Sequence, residues 1–327
     1  MNYRKFGKTN RQISEIGLGT WQLGADWGNV DETTAKKVLA TAVEAGVNFF
    51  DTADCYGEGL SENRLGNFLK TTSQNIFIAT KLGRFPKPGG VENFSLQQFC
   101  LHTENSLKRL GLECLDLTQV HCPPTELIQQ GEIFEWLRTL KKEGKIKEFG
   151  VSVESMEEAK FCLRQEGLFS LQIIFNLLRQ KPEDTLFDLA LKKQVALIIR
   201  LPLASGLLSG NLNAETTFSS EDHRNFNRNG EYFNVGETFS GLPFEKGLEI
   251  VKRLEPLIPE NLSLPLAALR WILDFEAVSV VIPGSKSPSQ VQHNCRASNI
   301  NPFSTSSHET LKQFYKRDVA QHIRGKY

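Results

Sequence analysis

Apolar residues along the chain gather in eight short runs, separated by segments of helical period. The runs are residues 16–20, 48–53, 76–82, 115–121, 146–153, 171–176, 196–201 and 278–283. Most of their positions are apolar, the pattern of a strand covered on both faces. Between them, residues 34–45 set Ala35, Val38, Leu39, Ala42 and Val43 on one face and end at Gly46, a C-cap glycine. Residues 95–110 open on a capping-box pair, Ser95 and Gln98, turn Leu96, Phe99, Cys100, Leu107 and Leu110 inward, and stop at Gly111. Residues 133–140 and 156–163 repeat the theme. Strands alternating with helices predict a parallel sheet clothed in helices. Eight repeats favour closure into a (β/α)8 barrel, the TIM barrel, over an open doubly wound sheet.

The repeat is embellished twice. YRKF, GKTN and RQIS at the N-terminus read as a β-hairpin ahead of the first barrel strand. Residues 204–242 form a long polar stretch, and two helical patterns, 244–258 and 263–275, then precede the last strand. A loop of that length in a compact fold is usually functional or mobile. Nothing in the pattern marks a second domain, so residues 1–327 are read as one.

Charge narrows the choice of partners. The 327 residues carry 38 basic and 38 acidic side chains, a formal net charge of zero. That balance argues against a nucleic acid or a membrane surface held by bulk electrostatics. No stretch approaches a membrane-spanning run of apolar residues, and the polar start MNYRKFGKTNRQ has no signal-peptide core. The six cysteines (55, 100, 114, 122, 162 and 295) are scattered, without Cys-x-x-Cys or zinc-type spacing. The expectation is a cytoplasmic protein with reduced thiols and no metal site, a monomer or weak homo-oligomer acting on a small molecule.

In a parallel barrel the active site forms where strands end and the following loops begin. The second strand ends at Asp51, with Tyr56 in its loop. The third ends at Lys81 and the fourth at His121. A single strand-end histidine is more often a satisfied core residue than a catalyst, and a single loop tyrosine usually packs. The four together, on three neighbouring strands, are much harder to explain by packing.

At these residues the sequence resembles the aldo-keto reductase superfamily. The likeness is carried by GLGTW (17–21), FFDTADCYGEG (49–59), ATK (79–81), LTQVH (117–121), FGVS (149–152) and PLASGLLSG (202–210), in order and nearly end to end. It implies NADPH-dependent reduction of a small carbonyl compound, with a tetrad on Asp51, Tyr56, Lys81 and His121. Physics supplies its own reading of that set. A free phenol has a pKa of about 10, and a neighbouring ammonium lowers it. Lys81 would supply the charge and Asp51 would hold Lys81. Tyr56 would then donate a proton to the carbonyl oxygen, while a neutral His121 orients the carbonyl with its N–H. Gly57 and Gly59 let the loop turn tightly enough to bring the phenol over the mouth.

No Gly-x-Gly-x-x-Gly is present, so a Rossmann site is unsupported. The resemblance lays the nicotinamide of NADP(H) across the barrel mouth, with contacts from Thr20, Trp21, Asp51, Pro202 and Leu203. It assigns the carboxamide to Ser152 and Gln172, although Gln172 also reads as a polar strand-start residue. Residues 282–294 are the adenosine end. Gly284, Ser285, Lys286 and Ser287 precede a helix start, where backbone N–H groups attract phosphate. Lys286 suits a 2′-phosphate, and Gln290 and Asn294 share a helix face. The plainer reading of this segment is a solvated turn and N-cap.

Three positions depart from the family pattern. Val153 stands where many relatives carry Asn. Arg200 stands where many carry an aromatic that stacks on the nicotinamide, which leaves it a cofactor phosphate or an acidic neighbour to reach. Cys122 replaces a common aromatic beside His121 and is expected to widen the substrate pocket. Two other functions compete with carbonyl reduction: a cofactor-binding regulatory or redox-sensor subunit with very slow turnover, and a lyase or isomerase using Lys81 for a Schiff base. An aspartate paired with Lys81 argues against the latter.

Overall fold

The structure, a computed structural model, describes residues 1–24, 27, 28 and 30–327. A hairpin of β1 (Tyr3–Lys5) and β2 (Gln12–Ser14) comes first. Eight parallel strands follow: β3 (Leu18–Gly19), β4 (Phe49–Asp51), β5 (Phe77–Leu82), β6 (Leu115–His121), β7 (Ile146–Ser152), β8 (Ser170–Ile174), β9 (Ala196–Arg200) and β10 (Val278–Val281). Each pairs with its neighbours in chain order. Bridges from Ile16 to Val281 and from Gly19 to Gly284 join the first strand to the last and close the (β/α)8 barrel. Closure explains the glycines of GLG. A Cβ on Gly19 would stand 2.9 Å from the Ile282 carbonyl oxygen, so only glycine allows the two strands to meet there.

Inside the barrel, alternate residues point inward. Phe49, Phe77, Ala79, Leu117, Ala196, Ile198 and Val280 fill the lower interior. Phe6, just past β1, plugs the bottom with edge-on contacts to Phe49, Phe77 and Phe169 at 5.1–5.3 Å. The same inward rows end at the top in Asp51, Lys81, His121 and Arg200. Apolar filling below and ionisable groups above leave one open end, the mouth. A larger apolar core lies between the strands and the surrounding helices.

Several local expectations are refined. Helix Glu32–Glu44 begins two residues before the expected start, because the Asp31 carboxylate caps the Thr34 N–H. At its other end Gly46, at φ +86°, donates to Val43 while Val47 donates to Ala42. Helix Leu96–Leu110 has half a capping box: the Ser95 hydroxyl accepts from the Gln98 N–H, but the Gln98 carboxamide oxygen has no partner. The complete box is at Ser155 and Glu158. The expected helix 244–258 ends as an α-helix at Leu254 and finishes in a 3-10 turn, Glu255–Leu257, where Pro256 lacks an N–H.

The polar stretch 204–242 is ordered around short turns, Ala204–Ser209, His223–Phe226, Val235–Glu237 and Phe239–Gly241. Several of its polar side chains are bonded inside the protein, while others face solvent. Asn227 donates to Thr238, and Asn176 of the barrel donates to Ser240. The Ser205 hydroxyl donates to the Glu237 carbonyl and accepts from the Phe239 N–H. The stretch helps to wall the mouth.

Candidate active site

The tetrad converges at the mouth around one ammonium. Lys81 Nζ donates to Asp51 Oδ1 at 2.5 Å, to the Thr52 carbonyl at 2.8 Å and to Tyr56 Oη at 3.1 Å. Its three N–H bonds therefore have three acceptors. The other Asp51 oxygen accepts from Gln172 Nε2 at 2.7 Å and Gln119 Nε2 at 3.3 Å. Lys81 and Asp51 are essentially inaccessible to water. The Asp51 charge and Tyr56 outweigh burial and raise the Lys81 pKa above its ordinary value. A protonated, fully engaged amine is not a Schiff-base nucleophile, so the lyase alternative has no support.

Tyr56 departs from expectation in one respect. Lys81 does pull the phenol pKa downward, but burial pushes it up by more, and the net shift is upward. The phenol holds its proton through the physiological range. His121 behaves as expected. Burial, then the Arg84 charge, then Lys81 keep the imidazole well below its ordinary pKa, so it is neutral. Its Nδ1 lies 3.7 Å from the Cys55 thiol, and its ring meets Tyr56 edge-on at 6.0 Å.

A cavity of about 580 Å³ opens above these groups, within the range of small-ligand sites. Asp51, Tyr56, His121, Thr20, Trp21, Gln172, Arg200, Pro202, Leu203, Gly284, Lys286 and Gln290 all line it. Trp21 stacks on Tyr56, with ring centres 5.8 Å apart. Thr20 Oγ1 donates to the Asp51 carbonyl. Around Pro202 and Leu203 the backbone is strained: Leu201, Ala204 and Ser205 have φ of +52°, +49° and +54°. Non-glycine residues in that region persist only where surrounding contacts hold them, and they cluster at ligand sites.

Other expected contacts are not on the cavity wall. Ser152 is fully buried, and its hydroxyl accepts from the Cys122 thiol at 3.4 Å. Ser285 and Asn294 are bonded to each other at 3.2 Å and support the turn from behind. Val153 is buried too. Cys122 is not on the cavity wall either, and Arg200 Nη2 lies 3.3 Å from its thiol. Of the two options for Arg200, the acidic neighbour holds: Nη1 donates to Glu237 at 2.7 Å. Gln172 engages Asp51 as well as lining the cavity.

At the other end of the cavity, Ser287 caps helix Pro288–Cys295, and Gln290 Oε1 accepts the Lys286 N–H at 2.7 Å. The Lys286 ammonium donates to the Trp27 carbonyl. Burial and the nearby Arg224 lower its pKa. Arg224 is held by Asp222 at 2.6 and 2.9 Å, and also lines the cavity. Two crowded cations at a helix N-terminus fit a phosphate-bearing cofactor. Gly284 is fixed by packing: a Cβ there would stand 2.0 Å from the Gln22 carboxamide oxygen.

Sequence reasoning missed Gln119, Arg84, Glu154, Glu237, Arg224 and Trp27. Gln119 had a signal, being a polar residue two before His121 in a buried strand and therefore facing inward. The others come from loops, where spacing does not fix direction.

Comparison with known proteins places the whole chain in one family. The family model described as "Aldo/keto reductase family" matches residues 15–316. The chain is 30% identical to the aldo-keto reductase YhdN of Bacillus subtilis, covering 89% of this chain and 87% of that one. It is 27% identical to the NADH-specific methylglyoxal reductase of Escherichia coli, covering 90% and 93%. Among solved structures it resembles a glycerol dehydrogenase from Gluconobacter oxydans, with a TM-score of 0.79, 27% identity and coverage of 99% and 98%. It also resembles the holo form of an aldo-keto reductase from Bacillus halodurans, with a TM-score of 0.77, 27% identity and coverage of 99% and 100%. Eight parallel strands closed into a barrel, a Lys81-centred tetrad at its mouth and this match over nearly the whole length make the chain a member of the aldo/keto reductase family of oxidoreductases.

Proposed function

We propose that the protein reduces a small aldehyde or ketone to an alcohol with NADPH. One observation carries the reading: just behind the wall of the cavity a single buried ammonium holds Asp51 and Tyr56 together, with a neutral His121 beside the phenol. The nicotinamide, when bound, supplies the hydride. This chain's part is to place the carbonyl and give it a proton. His121 donates an N–H to the carbonyl oxygen, which fixes the carbonyl and favours charge developing there. Tyr56 Oη passes its proton to the same oxygen. Lys81 stabilises the phenolate left behind, and Asp51, fixed by Gln172 and Gln119, keeps Lys81 charged and aimed. General-acid help of this type is worth roughly 10²–10⁴-fold.

Thr20, Trp21, Gln172, Pro202 and Leu203 would hold the nicotinamide end, and Gly284, Lys286, Gln290 and Arg224 the phosphates. Ser152, Ser285 and Asn294 act at one remove, through the residues they support. Preference for NADPH over NADH rests on Lys286 and Arg224, whose positive charges suit a 2′-phosphate. The test is loss of NADPH and NADH absorbance against a panel of aldehydes, ketones and sugars, with both cofactors titrated by fluorescence quenching. Repeated turnover with NADPH and weaker binding of NADH support the reading. Equal affinity for the two removes the cofactor preference, and no turnover with any carbonyl removes the activity.

A further inference from the structure

A second charged cluster lies in the same cavity, and carbonyl reduction as argued above makes no use of it. Arg84, just after β5, donates to Glu237 Oε1 at 2.8 Å and to Glu154 at 3.2 Å. Arg200, at the end of β9, donates to Glu237 Oε2 at 2.7 Å. Arg84, Arg200 and Glu237 all line the cavity. Arg200 is only 8% exposed, yet its Nε–H has no partner. That donor is closed off from the cavity, so an anion would be met by the charges of Arg84 and Arg200 at the wall rather than by this N–H. Arg84 also lies close enough to His121 to be the main charge depressing its pKa. An anion here would sit beside the carbonyl-binding histidine.

Cys122, Glu154 and Glu237 bring one ligand atom each within 4.8 Å of one another, a spacing that would admit a metal ion. Glu237, however, spends both oxygens on guanidinium groups, and two fixed positive charges oppose a cation. The cluster is built for an anion.

We propose that Arg84 and Arg200 form an anion subsite beside His121, and that the preferred substrate is a small aldehyde or ketone carrying a carboxylate. At the cavity wall two guanidinium charges outweigh the Glu237 carboxylate, and Arg179 behind Glu154 adds to the excess, so the site suits an anion. The inference rests on the carbonyl-reductase reading and names its substrate class. It also carries a pH dependence. The groups facing Glu154 are Arg84 after β5, Cys122 after β6, Arg179 after β8, Arg200 on β9, and Asn234 and Glu237 from the 204–242 stretch. Burial and Glu237 raise the Glu154 pKa to about 7. Below that pH Glu154 is neutral and the positive charge stands. Above it Glu154 ionises and lowers the positive charge.

The experiment compares kcat/KM for 4-oxobutanoate with that for its methyl ester, in the wild type and in Arg84→Gln, with NADPH saturating. A charge-assisted contact predicts that the wild type favours the acid by about ten- to a hundredfold. The ratio should fall toward one in Arg84→Gln, whatever the absolute rates. A second measurement needs no variant: butyrate should inhibit reduction of the ester competitively, with an inhibition constant that rises as pH passes about 7, and butyramide should not. Equal use of acid and ester by the wild type, with no inhibition by butyrate, overturns the subsite while leaving carbonyl reduction standing. Failure to reduce the ester or any neutral aldehyde overturns the reading beneath it. A larger preference for glyceraldehyde 3-phosphate over glyceraldehyde than for acid over ester overturns the assignment to a carboxylate.

Discussion

Lys81 and Arg200 are both buried cations at the ends of inward-facing strand rows, and their surroundings differ. Lys81 has as many acceptors as N–H bonds, all supplied by β4 and the loop after it. Arg200 is paired by a residue 37 positions away, in the 204–242 stretch, and keeps one donor free. A saturated network locks its members in place, and the price of removing one is an uncompensated buried charge. A network with excess positive charge at the cavity wall retains capacity for a ligand. On the proposed reading, the same fold separates the chemistry, held rigidly by the barrel, from substrate choice, assembled partly by a loop.

The largest effects should come from breaking the Lys81 network. Tyr56→Phe removes the proton donor and little volume, so kcat should fall by about 10³-fold with cofactor affinity retained. Retention of most of the wild-type kcat would exclude Tyr56 as the acid. Lys81→Met should abolish turnover and also destabilise the fold by about 3–5 kcal/mol, because Asp51 is left buried and unpaired. Denaturant unfolding measures it, and unchanged stability would mean that the pair is not load-sharing.

Next in size is the cofactor end. Lys286→Ala and Arg224→Ala should each weaken NADPH binding several-fold, up to about tenfold, and leave NADH almost unchanged. The effect should shrink with added salt, since the contacts are partly exposed. Equal weakening of both cofactors would place the 2′-phosphate elsewhere.

The raised Tyr56 pKa sets the pH behaviour for uncharged substrates. Reduction needs the phenol, so its rate should hold level from neutral pH to about pH 9, below the ordinary phenol pKa. Alcohol oxidation needs the phenolate and should rise with pH across that range. Parallel profiles in the two directions would show that Tyr56 does not carry the proton.

The smallest effect concerns stability. Glu154 titrates near 4.5 when unfolded and at about 7 in the fold. Between these values the folded chain binds the extra proton, so this group's stabilising contribution is complete below the lower value. It is lost as pH rises through the higher one. Glu154→Gln should therefore gain relative thermal stability at pH 8 compared with pH 6. A difference from wild type that is independent of pH would show that Glu154 does not titrate in the fold between pH 6 and pH 8.

The division between barrel and loop also explains what the sequence revealed. Asp51, Lys81 and His121 were legible because a strand's period of two fixes which side chains face inward, and parallel strands end together at the mouth. The eightfold repeat and the N-terminal hairpin were legible from apolar periodicity and turn residues, whereas the closing contact at GLG came only with the packed strands. Glu237 and Arg224 were not, because their positions depend on how the turns of 204–242 pack rather than on any period. Ser152 and Asn294 carry plausible polar groups, but neighbours that no spacing rule foretells, Cys122 and Ser285, take those groups. The direction of the Tyr56 pKa needed the extent of burial, a quantity that only the packed structure supplies.

The central claim is that this site turns over rather than merely holding its cofactor. The most direct measurement mixes the protein with a tenfold excess of NADPH and a small aldehyde, follows absorbance, and counts NADPH oxidised per protein molecule. Many equivalents should be consumed at a steady rate, with Tyr56→Phe nearly silent. Consumption that stops at about one equivalent, or proceeds equally in Tyr56→Phe, would contradict it.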